Sequence, residues 1–176
     1  MPAVWKHFES AEFWIIGSNP PPELRLLAER DSRVRVTGFV ERVQDVLRTA
    51  AVMLCPFTGT YGFRSRVIEA MALGVPVVAT QDAIYGMDLA PDQGLLLAET
   101  DEAMGLATLR LLTDPAFAAA QSCAARAQIE QRYSFQNCYD RLGRELLHFA
   151  TRRRAGREPE PGLAAIAVAT QEGATR

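Results

Sequence analysis

The sequence is poor in the residues that build disulfide frameworks, metal clusters and strongly basic surfaces. It has three cysteines and two histidines among 176 residues, and it contains no Cys-x-x-Cys pair. An odd number of dispersed cysteines argues against a disulfide framework and against a zinc site. Nineteen lysine and arginine residues stand against 21 acids, which gives a net charge of −2. This balance argues against a nucleic-acid-binding protein, because such proteins usually carry a basic excess.

Long apolar runs are also lacking. No stretch approaches the roughly 18 consecutive apolar residues of a membrane-spanning helix, and the N-terminal segment MPAVWKHFESAEFW has no basic start followed by an apolar core. We therefore expect no transmembrane segment and no signal peptide, and a cytoplasmic location. The arginine run Arg152–Arg154 is typical of a solvated tail, with peripheral contact to a membrane surface or a phosphate as the open alternative.

What the sequence does contain is an alternation of short apolar runs with segments of helical spacing. The runs predict strands at Ala11–Gly17, Val34–Thr37, Ala51–Cys55, Val75–Ala79 and Leu95–Ala98. The spacing predicts helices at Glu23–Arg30, Glu41–Ala50, Arg66–Leu73, Asp101–Leu112, Pro115–Tyr133 and Phe135–Ala150. Continuous apolar strands between helices indicate a parallel sheet covered on both faces. The predicted fold class is therefore α/β, a Rossmann-like doubly wound sheet over residues 1–150, followed by a disordered tail over residues 151–176.

The segment between the third and fourth predicted strands carries the chemistry. Doubly wound sheets bind ligands at the carboxyl ends of their strands, and the loop Phe57–Ser65 leaves such an end. Gly59 and Gly62 in this loop allow close approach of a ligand to the backbone. The first-turn N–H groups of the following helix favour phosphate, and Arg64 and Arg66 add cationic forks suited to a diphosphate.

A carboxylate follows one turn inside the same helix. Glu69 could accept hydrogen bonds from a ribose diol, as acids do in other nucleotide-binding folds. The alternative is a structural salt bridge, because a carboxylate on an apolar helix needs a partner. For Arg64 and Arg66 the alternative is solvation, and for the glycine loop it is an ordinary connection into a helix.

Several segments resemble one enzyme family. The run GFRSRVIEAMALGVPVVAT resembles the donor-site signature of GT-B glycosyltransferases of the GT4-like group, also called glycosyl transferases group 1. Four further segments resemble family segments in the correct order, and together they extend the resemblance over roughly residues 11–148: FWIIGSNPP, VRVTGFVERVQDVLRTAAVMLCPF, GLLLAETDEAMGLATLRLLTDP and ARAQIEQRYSFQNCYDRL. The resemblance implies the C-terminal, donor-binding half of an enzyme that transfers a sugar from a nucleotide-sugar to an acceptor.

The resemblance also implies roles for particular residues. Those matching the donor site are Gly62, Phe63, Arg64 and Arg66 for the diphosphate, Glu69 for the ribose, and Gly38, Phe39 and Val40 for the base, with a plain turn as the alternative at the last three. No catalytic residue is assigned. The family implies a retaining reaction with the nucleotide-sugar as substrate and no metal or other cofactor, since the helix N-terminus and basic side chains supply the positive charge. The absence of an Asp-x-Asp motif agrees with this expectation.

The sequence departs from the common family pattern in two ways. Tyr61 stands where the first acid of the E-x7-E pattern would fall, and the segment instead resembles a subgroup reading G-x-[KR]-x-[KR]-x-x-E-A-M-A. The matching segments also begin inside the C-terminal domain, so we expect the first strand to be missing and the N-terminal acceptor domain to be missing or on another chain. Two functions remain open: the donor-binding portion of a glycosyltransferase, and a non-catalytic nucleotide-sugar-binding module or partner subunit.

Overall fold

The structure, a computed structural model, describes residues 1–59 and 62–154. These residues divide into two units, Met1–Ser134 and a second unit that begins at Phe135. The strands of the first unit are β1 (Phe13–Ile16), β2 (Val34–Gly38), β3 (Met53–Cys55), β4 (Val77–Ala79) and β5 (Leu95–Leu97). Its helices are α1 (Pro2–Trp5), α2 (Pro22–Arg30), α3 (Val43–Leu47), α4 (Ser65–Ala72), α5 (Asp101–Thr113) and α6 (Pro115–Tyr133), with a 3₁₀ turn at Asp82–Ile84.

All strand pairs are parallel, as the apolar strand pattern predicts. β1 pairs with β2, and β3, β4 and β5 form a three-stranded sheet in that order. In the second sheet Val78 lies between Leu54 and Leu96. Over the described residues, the hydrogen-bonded strands thus form two separate sheets rather than one continuous sheet. We call β1, α2 and β2 the N-terminal layer, and β3 to β5 with α4, α5 and α6 the C-terminal sheet region.

The C-terminal sheet region is covered on both faces, which confirms the doubly wound α/β class. Alternate residues of a strand point to opposite faces, and β4 shows this alternation. Val77 and Ala79 belong to one buried cluster with Val67 and Met71 of α4, while Val78 belongs to a second cluster with side chains of α5. All three β4 residues are fully buried, which explains their unbroken apolar sequence.

The ends of the helices follow from local sequence. The Thr100 side chain accepts the Ala103 N–H at 3.1 Å and begins α5, and Asp114 accepts the Phe117 N–H at 2.9 Å and begins α6. Gly74 follows α4 with φ +77°, a left-handed conformation that favours glycine and ends the helix. The Val75 N–H then donates to the Ala70 carbonyl at 2.9 Å. These local signals fix where α4 ends and β4 begins.

In the first unit, two helices differ from the sequence prediction by more than one residue at an end. α3 covers only Val43–Leu47 of the predicted Glu41–Ala50, because the chain leaves the helix through turns in which the Ala50 N–H bonds the Leu47 carbonyl. The short helix α1, which no pattern predicts, packs against α5, where Ala3 lies against Gly105. Val4 is thereby fully buried.

The described part of the second unit is helix α7 (Phe135–Arg154). This helix continues four residues past Ala150, so the start of the predicted tail is helical; the rest of that tail, residues 155–176, lies outside the described residues. Along α7 the exposed side chains of Phe135, Tyr139, Leu142 and Leu146 recur at helical spacing. Within the described parts of the chain, every helix is too short or too polar to cross a bilayer.

Candidate functional site

Two loops meet at the carboxyl ends of β3 and β4. The loop after β3 and the turn after β4 are joined by hydrogen bonds from side chain to backbone. The Gly59 N–H donates to Asp82 Oδ2 at 2.7 Å, and Thr80 Oγ1 donates to the Phe57 carbonyl at 2.5 Å. Thr80 Oγ1 also accepts the Ala83 N–H at 3.2 Å. This is the edge at which doubly wound sheets bind ligands.

Arg64 reaches into this junction from the start of α4. Its Nη2 donates to the Gly59 carbonyl at 3.1 Å, and its Nη1 donates to the Asp82 carbonyl at 3.2 Å. The guanidinium carbon lies 4.9 Å from the centre of the Phe57 ring. Within the described part of the chain Arg64 forms no salt bridge. The half-buried guanidinium is therefore stabilised by two carbonyl dipoles and by the face of the Phe57 ring. Among the described residues, no carboxylate pairs with its positive charge.

Arg66 and Glu69 pair with each other on the first turns of α4. Arg66 Nη1 lies 2.5 Å from Glu69 Oε2, with side chains 55% and 30% exposed. Gln44 of α3 also donates its Nε2 to Glu69 Oε2 at 3.3 Å. The salt bridge that the sequence left open is thus present, and Glu69 has the partner that its setting requires. The ribose-binding role of Glu69 stays a prediction.

Gly62 and Phe63 occupy the last part of the loop before α4. Gly62 has φ +71°, which favours glycine, and a Cβ there would meet no atom within 4 Å. The Phe63 ring is 58% exposed and lies 6.4 Å from the Tyr133 ring. The backbone at Gly62 is thus open to approach, as a phosphate loop requires, while its predicted contact with a diphosphate stays untested.

The predicted base-binding residues lie at the end of β2. Gly38 has φ +71°, its carbonyl accepts the Gly17 N–H at 3.2 Å, and Phe39 is 78% exposed. A crevice of about 340 Å³ lies beside Gly38, lined by Pro20, Arg25, Ala28, Val36 and Thr37. Among the described residues no hydrogen bond or ion pair joins Gly38, Phe39 or Val40 to the arginines of α4. The structure thus joins Arg66 to Glu69 and Arg64 to the carbonyl groups of Gly59 and Asp82, while the base-binding role of Gly38, Phe39 and Val40 stays a prediction.

Three side chains at this edge were not identified from the sequence. Asp82 and Thr80 tie the two loops together, and Gln44 supports Glu69. Glutamine in a surface helix and aspartate after a strand are common, so no pattern marks these residues. Their relevance becomes visible only when the two loops are placed side by side.

One buried cysteine lies near Arg64 at this edge. Cys55 ends β3, and its burial raises the pKa of the thiol to about 12, while the nearby Arg64 guanidinium acts in the opposite direction. The side chain thus stays a neutral thiol at physiological pH. The described residues contain no group of three or more His, Cys, Asp or Glu side chains that could hold a metal ion.

Solved structures with the same fold include glycosyltransferases. A structure of a TarM variant from S. aureus, in complex with fondaparinux, alpha-GlcNAc-glycerol and UDP, matches with a TM-score of 0.66 and 21% identity over 78% of this chain. Anabaena HepE in complex with UDP matches with a TM-score of 0.67 and 17% identity over 84% of this chain. The C-terminal domain of LpcC, a glycosyl transferase group 1 family protein of Francisella tularensis, matches with a TM-score of 0.64 and 18% identity over 76% of this chain.

These matches show that the chain has the Rossmann-like α/β fold of GT-B glycosyltransferases. The sequence model of the family described as "Glycosyl transferases group 1" matches residues 1–114. The chain belongs to this family, as the resemblance of its segments predicted. No curated protein matches the sequence significantly. The chain spans 29% of the TarM chain and 45% of the HepE chain, and 75% of the LpcC domain.

Proposed function

We propose that this chain is the donor-binding portion of a glycosyltransferase that takes a sugar from a nucleotide-sugar. One observation carries the proposal. In a member of the glycosyl transferases group 1 family, Arg64 is held by the carbonyl groups of Gly59 and Asp82 at the carboxyl ends of β3 and β4. A guanidinium without a carboxylate partner at this edge is suited to a diphosphate.

The nucleotide that we expect this chain to bind is a nucleoside diphosphate, and UDP is the first nucleotide to test. The TarM and HepE structures with this fold are complexes with UDP. The diphosphate would lie against Arg64 and the backbone of Gly62, where the glycine leaves open space. The start of α4 adds the partial positive charge of a helix N-terminus.

Glu69 would bind the ribose by exchanging partners. Its carboxylate now accepts hydrogen bonds from Arg66 and Gln44. Ribose hydroxyls could replace one of these donors, because a carboxylate has several acceptor sites. Release of Arg66 from Glu69 would then allow its guanidinium to turn toward the diphosphate. The exposed Arg66–Glu69 pair is of the kind that contributes only about 0–1 kcal/mol, so the exchange costs little.

The chemistry that this arrangement supports is departure of a nucleoside diphosphate. When the bond between the anomeric carbon and the diphosphate breaks, negative charge grows on the phosphate oxygens. Arg64 and Arg66 would stabilise that charge, so the proposal draws on side-chain and amide positive charge rather than on a metal ion. We further propose that the enzyme belongs to the GT4-like group and transfers the sugar with retention of anomeric configuration. The acceptor would bind to a second domain, as in the two-domain members of the fold class.

The first experiment measures binding of UDP, GDP, ADP and the matching nucleosides to the 176-residue chain by calorimetry and thermal shift. A ligand at a hundredfold excess over Kd stabilises by about 2.7 kcal/mol. We expect Arg64→Ala to weaken diphosphate binding by about tenfold or more while leaving nucleoside binding unchanged. Arg126→Ala, which removes the same charge from α6, is the matched control and should change neither.

Glu69→Gln tests the ribose contact. The variant keeps the size of the side chain and loses its charge, so affinity for UDP and for uridine should fall together by about tenfold. A variant that binds UDP like the parent would show that Glu69 is structural. Failure of every nucleoside diphosphate to bind the parent chain would overturn the proposed function. Binding without transfer, even when an acceptor-binding domain is supplied, would favour the non-catalytic binding module.

A further inference from the structure

We propose that Asp82 is the positioning residue for Arg64. Its carboxylate fixes the Gly59 amide, and this bond holds in place the two carbonyl groups that aim the guanidinium. The inference rests on the proposed function in naming a diphosphate as the ligand that Arg64 meets. Nothing in the residue pattern around Asp82 predicts this role, and the evidence for it is geometric.

The contacts form a closed set of three residues. Asp82 Oδ2 accepts the Gly59 N–H at 2.7 Å, the Gly59 carbonyl accepts Arg64 Nη2 at 3.1 Å, and the Asp82 carbonyl accepts Arg64 Nη1 at 3.2 Å. The two nitrogens of one guanidinium are thereby bound to two different loops. Two separate attachment points determine the plane of the group as well as its position.

Each acceptor carbonyl is itself held. The Asp82 carbonyl also accepts the Tyr85 N–H at 3.3 Å, within the turn that follows β4. Gly59 adopts φ +87°, a conformation that a flexible glycine would leave readily without an anchor. The neighbouring bond from Thr80 Oγ1 holds the Phe57 carbonyl rather than Gly59. Asp82 is therefore the side chain that fixes the Gly59 end of the Arg64 site.

Two substitutions of Asp82 distinguish an anchoring role from an electrostatic role. A carboxylate beside a diphosphate repels it, so charge alone would make Asp82 unfavourable for this ligand. Asparagine keeps an amide oxygen that can accept the Gly59 N–H and removes the charge. Alanine removes both. If Asp82 acts as an anchor, asparagine should preserve diphosphate binding and alanine should lose it.

The experiment measures Kd for UDP and for uridine by calorimetry on the full chain. We expect Asp82→Ala to raise the Kd of UDP by about tenfold with little change for uridine, and Asp82→Asn to bind UDP at least as well as the parent. Glu29→Ala, on α2, makes the same change of net charge as Asp82→Ala and should leave both values unchanged. Equal losses for UDP and uridine in Asp82→Ala, or no loss for either, would overturn the inference.

A second measurement keeps this inference separate from the proposed function. Amide hydrogen exchange at Gly59, followed by NMR without ligand, should be faster in Asp82→Ala and unchanged in Asp82→Asn. Unchanged exchange in Asp82→Ala would overturn the anchoring role whatever the chain binds. If the parent binds no nucleoside diphosphate but exchange at Gly59 responds as expected, the proposed function fails while the anchoring of the loop stands.

Discussion

The N-terminal layer and the C-terminal sheet region are built from the same units, yet they are buried to very different degrees. β4 is completely buried, whereas Trp14 of β1 is 46% exposed and α2 has no buried residue. Both regions have apolar strands followed by amphipathic helices. The difference is that β4 has neighbouring strands on both sides and helices on both faces. An apolar strand pattern therefore predicts that a segment pairs with other strands. The strands and helices that surround it determine how deeply it is buried.

Polar groups are also satisfied differently in the two regions. Around β5 the buried side chains of Gln121 and Gln128 bind loop backbone, including the Gly94 N–H and the Gln93 carbonyl. In the N-terminal layer the polar contacts are partly exposed ion pairs, such as that between Arg35 and Glu12. Buried hydrogen bonds resist opening more than exposed pairs do, because water competes for the latter. We therefore expect the C-terminal sheet region to be the more stable of the two.

The largest expected effect comes from Gly94, where the loop before β5 touches α6. A Cβ at this position would lie 2.3 Å from the Cα and Cβ atoms of Ala125, and the residue has φ +84°. Gly94→Ala should therefore reduce the free energy of unfolding by about 3 kcal/mol or more. Gly17→Ala is the control, because no atom lies within 4 Å of its added Cβ. Urea denaturation followed by circular dichroism measures both, and similar values for the two would contradict the comparison.

Truncation of an apolar side chain in each region tests the same comparison. Met71 of α4 is fully buried, while Leu27 of α2 is 42% exposed. Met71→Ala should cost about 2–5 kcal/mol because it leaves a cavity, and Leu27→Ala less than about 1 kcal/mol. The same urea measurement applies. A cost at Leu27 as large as that at Met71 would mean that α2 is covered in solution.

The two regions should also unfold at different urea concentrations. In a Trp5→Phe background Trp14 is the single tryptophan, since the sequence has two, and it reports on β1. Its fluorescence transition should precede the helical circular dichroism transition by about 0.5–1 M urea, if the N-terminal layer opens with a free energy about 1–2 kcal/mol smaller. Coincident transitions would show that both regions unfold as one unit.

The smallest effect expected is a pH dependence confined to the N-terminal layer. Hydrogen bonds from Arg33 hold the pKa of Asp31 at about 2, below the ordinary value of 3.8. Because the folded pKa is depressed, the stabilisation is present above pH 4 and is lost as the pH falls toward 2. In the Trp5→Phe background, the urea midpoint of the Trp14 fluorescence transition should fall over this pH range. In Asp31→Asn this component should be absent, and an unchanged pH profile would contradict the assignment.

Much of the C-terminal sheet region could be predicted from the sequence. The run Val75–Ala79 predicted a buried strand, which is confirmed by β4, and the predicted helix Arg66–Leu73 agrees with α4 to within one residue at each end. The placement of Arg64 and Arg66 at the start of α4 was likewise readable, because the glycine loop and the apolar spacing locate the helix. Such features depend on local backbone preference and on hydrophobic period, which neighbours in the sequence determine.

The long-range contact partners of the site residues could not be predicted from the sequence. The family, the parallel α/β class and the arginines at the start of α4 could be predicted from the residue pattern. The contact of Glu69 with Gln44, 25 residues away, and the bond of Asp82 to Gly59, 23 residues away, depend on the tertiary structure. It also decided that the strand ladder is divided into two groups over the described residues. The physical reason is that these contacts join segments distant in the chain, where directional hydrogen bonds depend on ångström-scale placement that no local pattern records.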